Sequence, residues 1–322
     1  MKAIQRIVAA LSLLSTAAVA QTSYPDQAVR ILVGFTPGVA PDIVSRVLAD
    51  KFAESWGRPV LVENVTGAGG NIACDRVAKA APDGYTLVMC GNSSLVVAPS
   101  LYDKLSYDPV KDLAPIARVF VAANILAVHP DVPAKTLSEL VSLARQQPGK
   151  LTYGHAGTGT SQHLAAELFK YMAHIDLQPV AYRGTTAVLP DLLAGRLTLS
   201  FANIANALPL VREGKLRGYA VTSIKRSGAA PDLPTMAESG FPGFEAVPWF
   251  GLMAPAGTPP AILAKIHGET VKVLAMPDVK KRLAELGLDL IGGSPAEFAA
   301  VIESETPQWA KIIKAAGIRA SE

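Results

Sequence analysis

Residues 153–163 read Tyr-Gly-His-Ala-Gly-Thr-Gly-Thr-Ser-Gln-His: three glycines and four hydroxyl or amide side chains, directly ahead of an apolar-periodic run. Glycine lets a ligand approach the main chain closely. The start of a helix offers partnerless N–H groups at the positive end of its dipole, so such a loop suits an anion. The anion is a nucleotide phosphate, the oxyanion of a reaction, or part of a ligand that leaves unchanged. A dinucleotide loop needs G-x-G-x-x-G, but Gly157-Thr158-Gly159 runs on into Thr160, Ser161 and Gln162 without the third glycine. Neither G-x-x-x-x-G-K-[ST] nor G-x-S-x-G occurs. His163 does not serve Ser161 as a general base, because residues two apart on a helix diverge. It reads as a helix-start residue donating to a neighbour or to the ligand. Asp42 is the only acid close to the glycine-rich loops. Neutral donors without a base or nucleophile bind an anion and do not process it.

The surrounding chain alternates strands and helices. "VRILVGF" (29–35), "PVLVENV" (59–65) and "DGYTLVMCG" (83–91) read as strands. Between the first two lies a helix over 41–57, with Pro41 suited to its start and Gly57 to its stop. The pattern restarts at "ILAVHP" (125–130), with Thr136 as the cap of the next helix and Leu164, Leu168 and Met172 on one face of another. "LQPVAYRG", "LTLSFAN" and "LRGYAVTS" are further strands, and from about Pro259 the tail is mostly helical. This is the pattern of parallel-type sheets covered by helices, in two α/β lobes. Lobe 1 comprises 21–122 and 248–322, lobe 2 comprises 123–247, and the crossings fall at 118–126 and 247–254.

Ligands of a parallel sheet sit beyond the carboxyl ends of its strands. Six segments follow such ends: Thr36 to Val39, Thr66 to Asn71, Gly91 to Ser94, Ala156 to Ser161, Arg183 to Thr185, and Asn203. The expected ligand-binding residues are Thr36, Gly38, Val39, Asp42, Gly69, Asn92, Ser93 and Ser94 on the first lobe. On the second they are Gly157, Thr158, Gly159, Thr160, Ser161, His163, Arg183, Gly184 and Asn203. The N–H groups of Gly38 and Val39 are expected to hold one carboxylate, and the 157–161 loop a second polar group.

Composition agrees with a globular, exported chain. Of 322 residues, 50% are hydrophobic and 18% charged, which excludes bulk disorder. Lys2 and Arg6, the apolar stretch from Ile7 to Leu14, and Ala18-Val19-Ala20 form a secretory signal peptide over 1–20, with cleavage after Ala20. The expected location is the periplasm. Without Lys2 and Arg6 the 30 basic residues become 28 against 27 acidic, a net charge of +1, and no basic block marks a nucleic-acid partner. The five histidines form no ligand pattern, so neither metal nor cofactor is expected. Cys74 and Cys90 lack CxxC spacing. A right-handed crossover brings them near each other, bridged or free.

"YPDQAVRILVGFTPGVAPDIVSRVLA", "ENVTGAGGNIACDRVAKAAPDGYTLVM", "PSLYDKLSYDPVKDLAPIA", "YGHAGTGTSQHLAAELFK", "LPDLLAGRL" and "PWFGLMAPAGTPPAIL" resemble, in the same order, the Bug or TctC-like extracytoplasmic receptors of tripartite tricarboxylate transporters. The resemblance covers nearly all of the chain after the signal peptide. It implies a type II, Venus-flytrap periplasmic binding protein, monomeric and not catalytic, that takes a small carboxylate and partners a two-component, TctA/TctB-like permease. Phe35, Pro37, Gly38 and Asp42 match the family's first loop, and Gly157, Gly159, Thr160 and His163 match its second-lobe loop. The chain departs from the family at four places. Val39 adds bulk where the family usually has glycine, and Ser94-Leu95 replaces Thr-His. His155 replaces a small residue. Ala202 replaces an Asp before Asn203, removing an acceptor for a ligand amino group and favouring a non-amino carboxylate. Two other readings fit the same clamp: a periplasmic sensor, or a secreted enzyme acting on a small acid.

Overall fold

The computed structural model describes residues 24–315, 317 and 318; the signal peptide expected over 1–20 lies outside them. Its eleven strands are β1 (Val29–Val33), β2 (Val60–Asn64), β3 (Thr86–Gly91), β4 (Leu113–Ala122), β5 (Asn124–Val128), β6 (Thr152–His155), β7 (Gln178–Ala181), β8 (Leu199–Asn203), β9 (Arg217–Val221), β10 (Trp249–Pro255) and β11 (Leu288–Leu290). The helices used below are α1 (Ala40–Trp56), α2 (Asn71–Ala78), α3 (Ala98–Leu101), α4 (Leu137–Gln146), α5 (Ser161–Ala173), α6 (Thr185–Leu193), α7 (Ile204–Arg212), α8 (Pro260–Ala275), α9 (Pro277–Glu285) and α10 (Pro295–Ala315).

The strands form two sheets, ordered β11-β4-β10-β3-β1-β2 and β7-β6-β8-β5-β9. β1 runs parallel to β2 and β3, and β6 parallel to β7 and β8. The remaining pairs are antiparallel, so each sheet is mixed and not wholly parallel. The cause is the crossing between lobes. A single residue, Ala123, separates β4 from β5. A strand that arrives straight from the other lobe has no covering helix behind it with which to make a parallel crossover.

Alternation along the strands builds a helical layer on each face. Ile31, Val33, Leu87 and Met89 join one cluster with Leu48 and Phe52 of α1, Ile266 of α8 and Leu283 of α9. Leu32, Val88 and Cys90 point the other way, to Cys74 and Val77 of α2 and Phe298, Ile302 and Trp309 of α10. In the second sheet Leu126 and Val128 meet α4 and α5, while Ile125 and Ala127 meet Val188 of α6 and Ile204 of α7. The predicted helix signals hold: Pro41 lies in the first turn of α1, left-handed Gly57 (φ 65°) closes it, and Thr136 Oγ1 accepts from Glu139 N at 3.2 Å. Leu164 differs from expectation. It leaves the face shared by Leu168 and Met172 and is buried with Val97 and Leu101 in the first lobe's core. Cys74 and Cys90 are bridged, with Cα atoms 6.2 Å apart.

Candidate ligand-binding site

The loop after β1 is fixed by one carboxylate. Asp42 Oδ2 accepts from Gly38 N at 2.9 Å, and Oδ1 accepts from Asn64 Nδ2 at 2.9 Å. Arg46 pairs with the same group at 2.9 Å. Burial alone would raise the Asp42 carboxyl, but the bonds from Arg46, Gly38 and Asn64 outweigh it and hold the group below the usual carboxylate range. Asn64 Nδ2 also donates to Phe35 O at 2.9 Å, tying the loop to the end of β2. This corrects the expectation for Gly38 and Asp42: the Gly38 N–H is spent on Asp42, and Asp42 shapes the loop from behind. Val39, just before α1, does line the cleft. The third segment is anchored similarly. Ser93 Oγ donates to Gly69 O at 2.9 Å, and the wholly buried Ser94 donates to the same oxygen at 3.4 Å.

In the second lobe two histidines hold the 156–160 loop. Gly157 N donates to His155 Nδ1, and Gly159 N to His163 Nδ1, each at 3.3 Å. His163 therefore accepts from its neighbour through Nδ1, which leaves its donor proton on Nε2. The two rings lie 4.6 Å apart, both buried. Burial, then the proximity of His155 and Lys170, pushes His163 down to about 3, and burial lowers His155 as well. Ala156 N donates to Gln162 Oε1 at 2.9 Å, and the Thr160 hydroxyl to Gly157 O at 2.7 Å. Thr160 gives no side-chain cap to α5. The first turn of α5 thus opens on the cleft uncapped, where N–H groups and the dipole favour an anion.

Where the lobes meet lies a cavity of about 40 Å³, room for a few waters or one small polar group. Asn92, Ser93, Asn124 and Thr160 line it together with Ser161, Gln162, Thr185 and Asn203. All eight are neutral. Phe35, Val39, Pro41, Ala156, Pro248 and Phe250 supply the apolar wall. Asn124 is fully buried and donates through Nδ2 to Ser161 Oγ at 3.2 Å, while its Oδ1 has no partner. A buried polar atom left open in this way marks a place for a ligand or water. Because Ser161 Oγ accepts that bond, its own proton is free to point into the cavity.

A wider chamber of about 560 Å³ adjoins it, sharing Phe35 and Ala156. Thr36, Gly69, Gly157, Thr158, Arg183 and Gly184 line this chamber. Twelve of the seventeen expected residues thus face one space or the other. Gly38, Asp42, Ser94, Gly159 and His163 lie behind them and line neither. Sequence reasoning missed Asn124, Gln162, Thr185, Pro248 and Phe250. Asn124 carried a signal, an amide opening an apolar strand, and Gln162 stood within the 153–163 loop; Phe250 had none, because 247–254 reads only as a crossing between the lobes. The lobes also touch directly: Asn206 Nδ2 donates to Gly38 O, and the Thr36 and Thr186 hydroxyls meet, each pair at 3.4 Å. No group of three or more His, Cys, Asp or Glu among the described residues is placed to hold a metal ion.

Two mixed α/β lobes closing on a neutral, donor-rich cavity define a two-lobed ligand-binding protein. Known proteins agree. Residues 44–318 match the tripartite tricarboxylate transporter family receptor, so the chain belongs to that family. It is 33% identical to BugT of Bordetella pertussis over 94% of this chain and 93% of BugT. A solved R. palustris protein with adipate superposes with a TM-score of 0.89 at 34% identity, over 92% of this chain and all of that one. MatC from Rhodopseudomonas palustris with bound malate gives 0.85 at 34%, over 90% of this chain and all of MatC. Membership places the protein among receptors and not among enzymes.

Proposed function

We propose that this protein is a periplasmic receptor for a small non-amino carboxylate, mono-, di- or aromatic, which it delivers as a monomer to a two-component, TctA/TctB-like membrane permease. The observation that carries this reading is the inner cavity. Its polar lining is neutral, its hydroxyl and amide groups converge, and the uncapped start of α5 opens into it. Charge-assisted hydrogen bonds from such donors contribute about 1.5–3 kcal/mol each, enough to hold a carboxylate without a fixed cation. The relatives solved with adipate and with malate support the ligand class. Ala202 is buried in β8 opposite Ile125, in the apolar cluster under α6 and α7, and lines neither space, so the non-amino preference rests on the family resemblance.

A thermal-shift screen of carboxylic acids tests the reading. A true ligand at a hundred times its Kd stabilises the protein by about 2.7 kcal/mol. Stabilisation by a phosphate or an amino acid, with none from any carboxylic acid, would refute it.

A further inference from the structure

The second crossing between the lobes is short. On the lobe 2 side Ala246 N donates to Thr222 O at 3.2 Å. On the lobe 1 side Ala122 N donates to Pro248 O at 2.9 Å, and β10 begins at Trp249. Pro248 and Phe250 both line the inner cavity. Trp249 stands between them, and strand alternation turns its side chain the other way, into the cluster with Phe298, Ile302 and Trp309 of α10. There α10 lies close against β10. Gly251 leaves the next place on that face empty, and a Cβ there would strike the Phe298 ring, whose centroid is 5.6 Å from that of Trp249 with the planes 85° apart. This apolar interface holds a polar contact: Trp249 Nε1 donates to Glu305 Oε2 at 2.8 Å.

Glu305 lines neither space in the cleft, and none of the ion pairs among the described residues includes it. Arg118 of β4 pairs with Gly251 on the same sheet. Burial raises the Glu305 carboxyl above the ordinary range, and the charge of Glu245 adds to this; the indoles of Trp249 and Trp309 and the charge of Arg118 oppose it. A half-buried carboxyl without a cation in contact is costly, so its bond to the indole is what it offers the fold. We infer that Glu305 is a positioning residue for lobe closure: by accepting from Trp249 it pins the lobe 1 end of the crossing to α10, and so sets where Pro248 and Phe250 stand against the ligand. The inference rests on the two-lobed receptor fold and not on which ligand is bound.

The test separates positioning from the mere satisfaction of a buried donor. Both cysteines are bridged to each other, so spin labels at Ser55→Cys on α1 and Gln146→Cys on α4 report the distance between the lobes without a ligand. Glu305→Leu is expected to widen the distance distribution and to weaken binding of adipate roughly 2- to 30-fold. Glu305→Gln, which keeps an acceptor oxygen, should retain most of both. Adding Trp249→Phe to Glu305→Leu removes the orphaned donor, so the melting temperature should recover in part while the wide distribution and the weak binding persist. Thermal melts of each variant confirm that it is folded. An unchanged distribution in Glu305→Leu overturns the inference. So does a double variant that regains the narrow distribution, because the bond would then serve only to satisfy the indole. If adipate fails to bind the wild type, that result bears on the ligand reading, and the distances decide this one alone.

Discussion

Gly159 separates the cost of backbone strain from the cost of closing the lobes. It sits at φ 79°, and a Cβ there would lie 2.5 Å from Leu101 Cδ2 and 3.6 Å from Val97 Cγ1, both in the first lobe. Gly159→Ala therefore has two effects. Left-handed strain of about 1–2 kcal/mol burdens open and closed forms alike and lowers stability without touching affinity. The collision with Leu101 exists only when the lobes are together. Leu101 is buried and tightly surrounded, so overpacking of about 1–3 kcal/mol falls on the closed form alone. Ligand affinity should drop roughly 5- to 150-fold. Calorimetry with the tightest carboxylate from the thermal screen reads the drop, and Leu101→Ala in the same background removes the opposing atom. The double variant should recover most of the affinity while remaining less stable. If Gly159→Ala binds as the wild type does, or if Leu101→Ala recovers nothing, the described contact is not part of the bound state.

Ser161→Ala should weaken carboxylate binding more than Thr160→Ala, because the Ser161 proton is free while the Thr160 proton is held by Gly157 O at 2.7 Å; calorimetry that reversed the order would contradict the cavity geometry. Both loop histidines are neutral in the fold and protonate in the unfolded chain near 6.5. Their contribution is full above that pH and is lost as pH falls towards the His163 value of about 3, at up to about 1.4 kcal/mol per pH unit for each. Denaturation between pH 7 and 5 should show this loss, and His163→Asn should reduce it; an unchanged slope in the variant would acquit His163. Replacing Cys74 and Cys90 by serine opens a bridge across a sequence separation of 16 and should cost about 3 kcal/mol, read as a lower urea midpoint; an unchanged midpoint would remove the bridge from the stability account.

Much of this was legible in the sequence. Glycine-rich segments after each β-branched run predicted where the cleft would lie, and Pro41, Gly57 and Thr136 sit at helix ends as their chemistry demands. Strand direction was not legible. β4 and β10 were expected only as crossings, at 118–126 and 247–254, and nothing in an apolar run reveals which way a partner strand points. Hydrogen-bond ownership was equally hidden. Gly38, Gly157 and Gly159 looked like free donors, yet Asp42, His155 and His163 had claimed each N–H. The clue at Asp42 was its place four residues after Gly38. For the histidines, spacings of two and four from the glycines they serve gave a faint equivalent. Asn124 acquires its role only through contact with Ser161, 37 positions along the chain.

The place of β10 bears on how the chain comes to be folded. It lies at the centre of the six-stranded sheet, between β3 and β4, with Leu252 opposite both Met89 and Ala117. Until residues 249–255 arrive, two long apolar strands on the amino-terminal side have bare edges, and such edges recruit other chains. The second sheet has no such debt, because all its strands lie between 124 and 221. The second sheet can therefore assemble from contiguous chain, while the first, whose strands lie on both sides of that segment, stays open at its middle until nearly four-fifths of the sequence is present. Long-range pairing of this kind is slow. The interval before β10 docks is when this protein most needs shelter from aggregation.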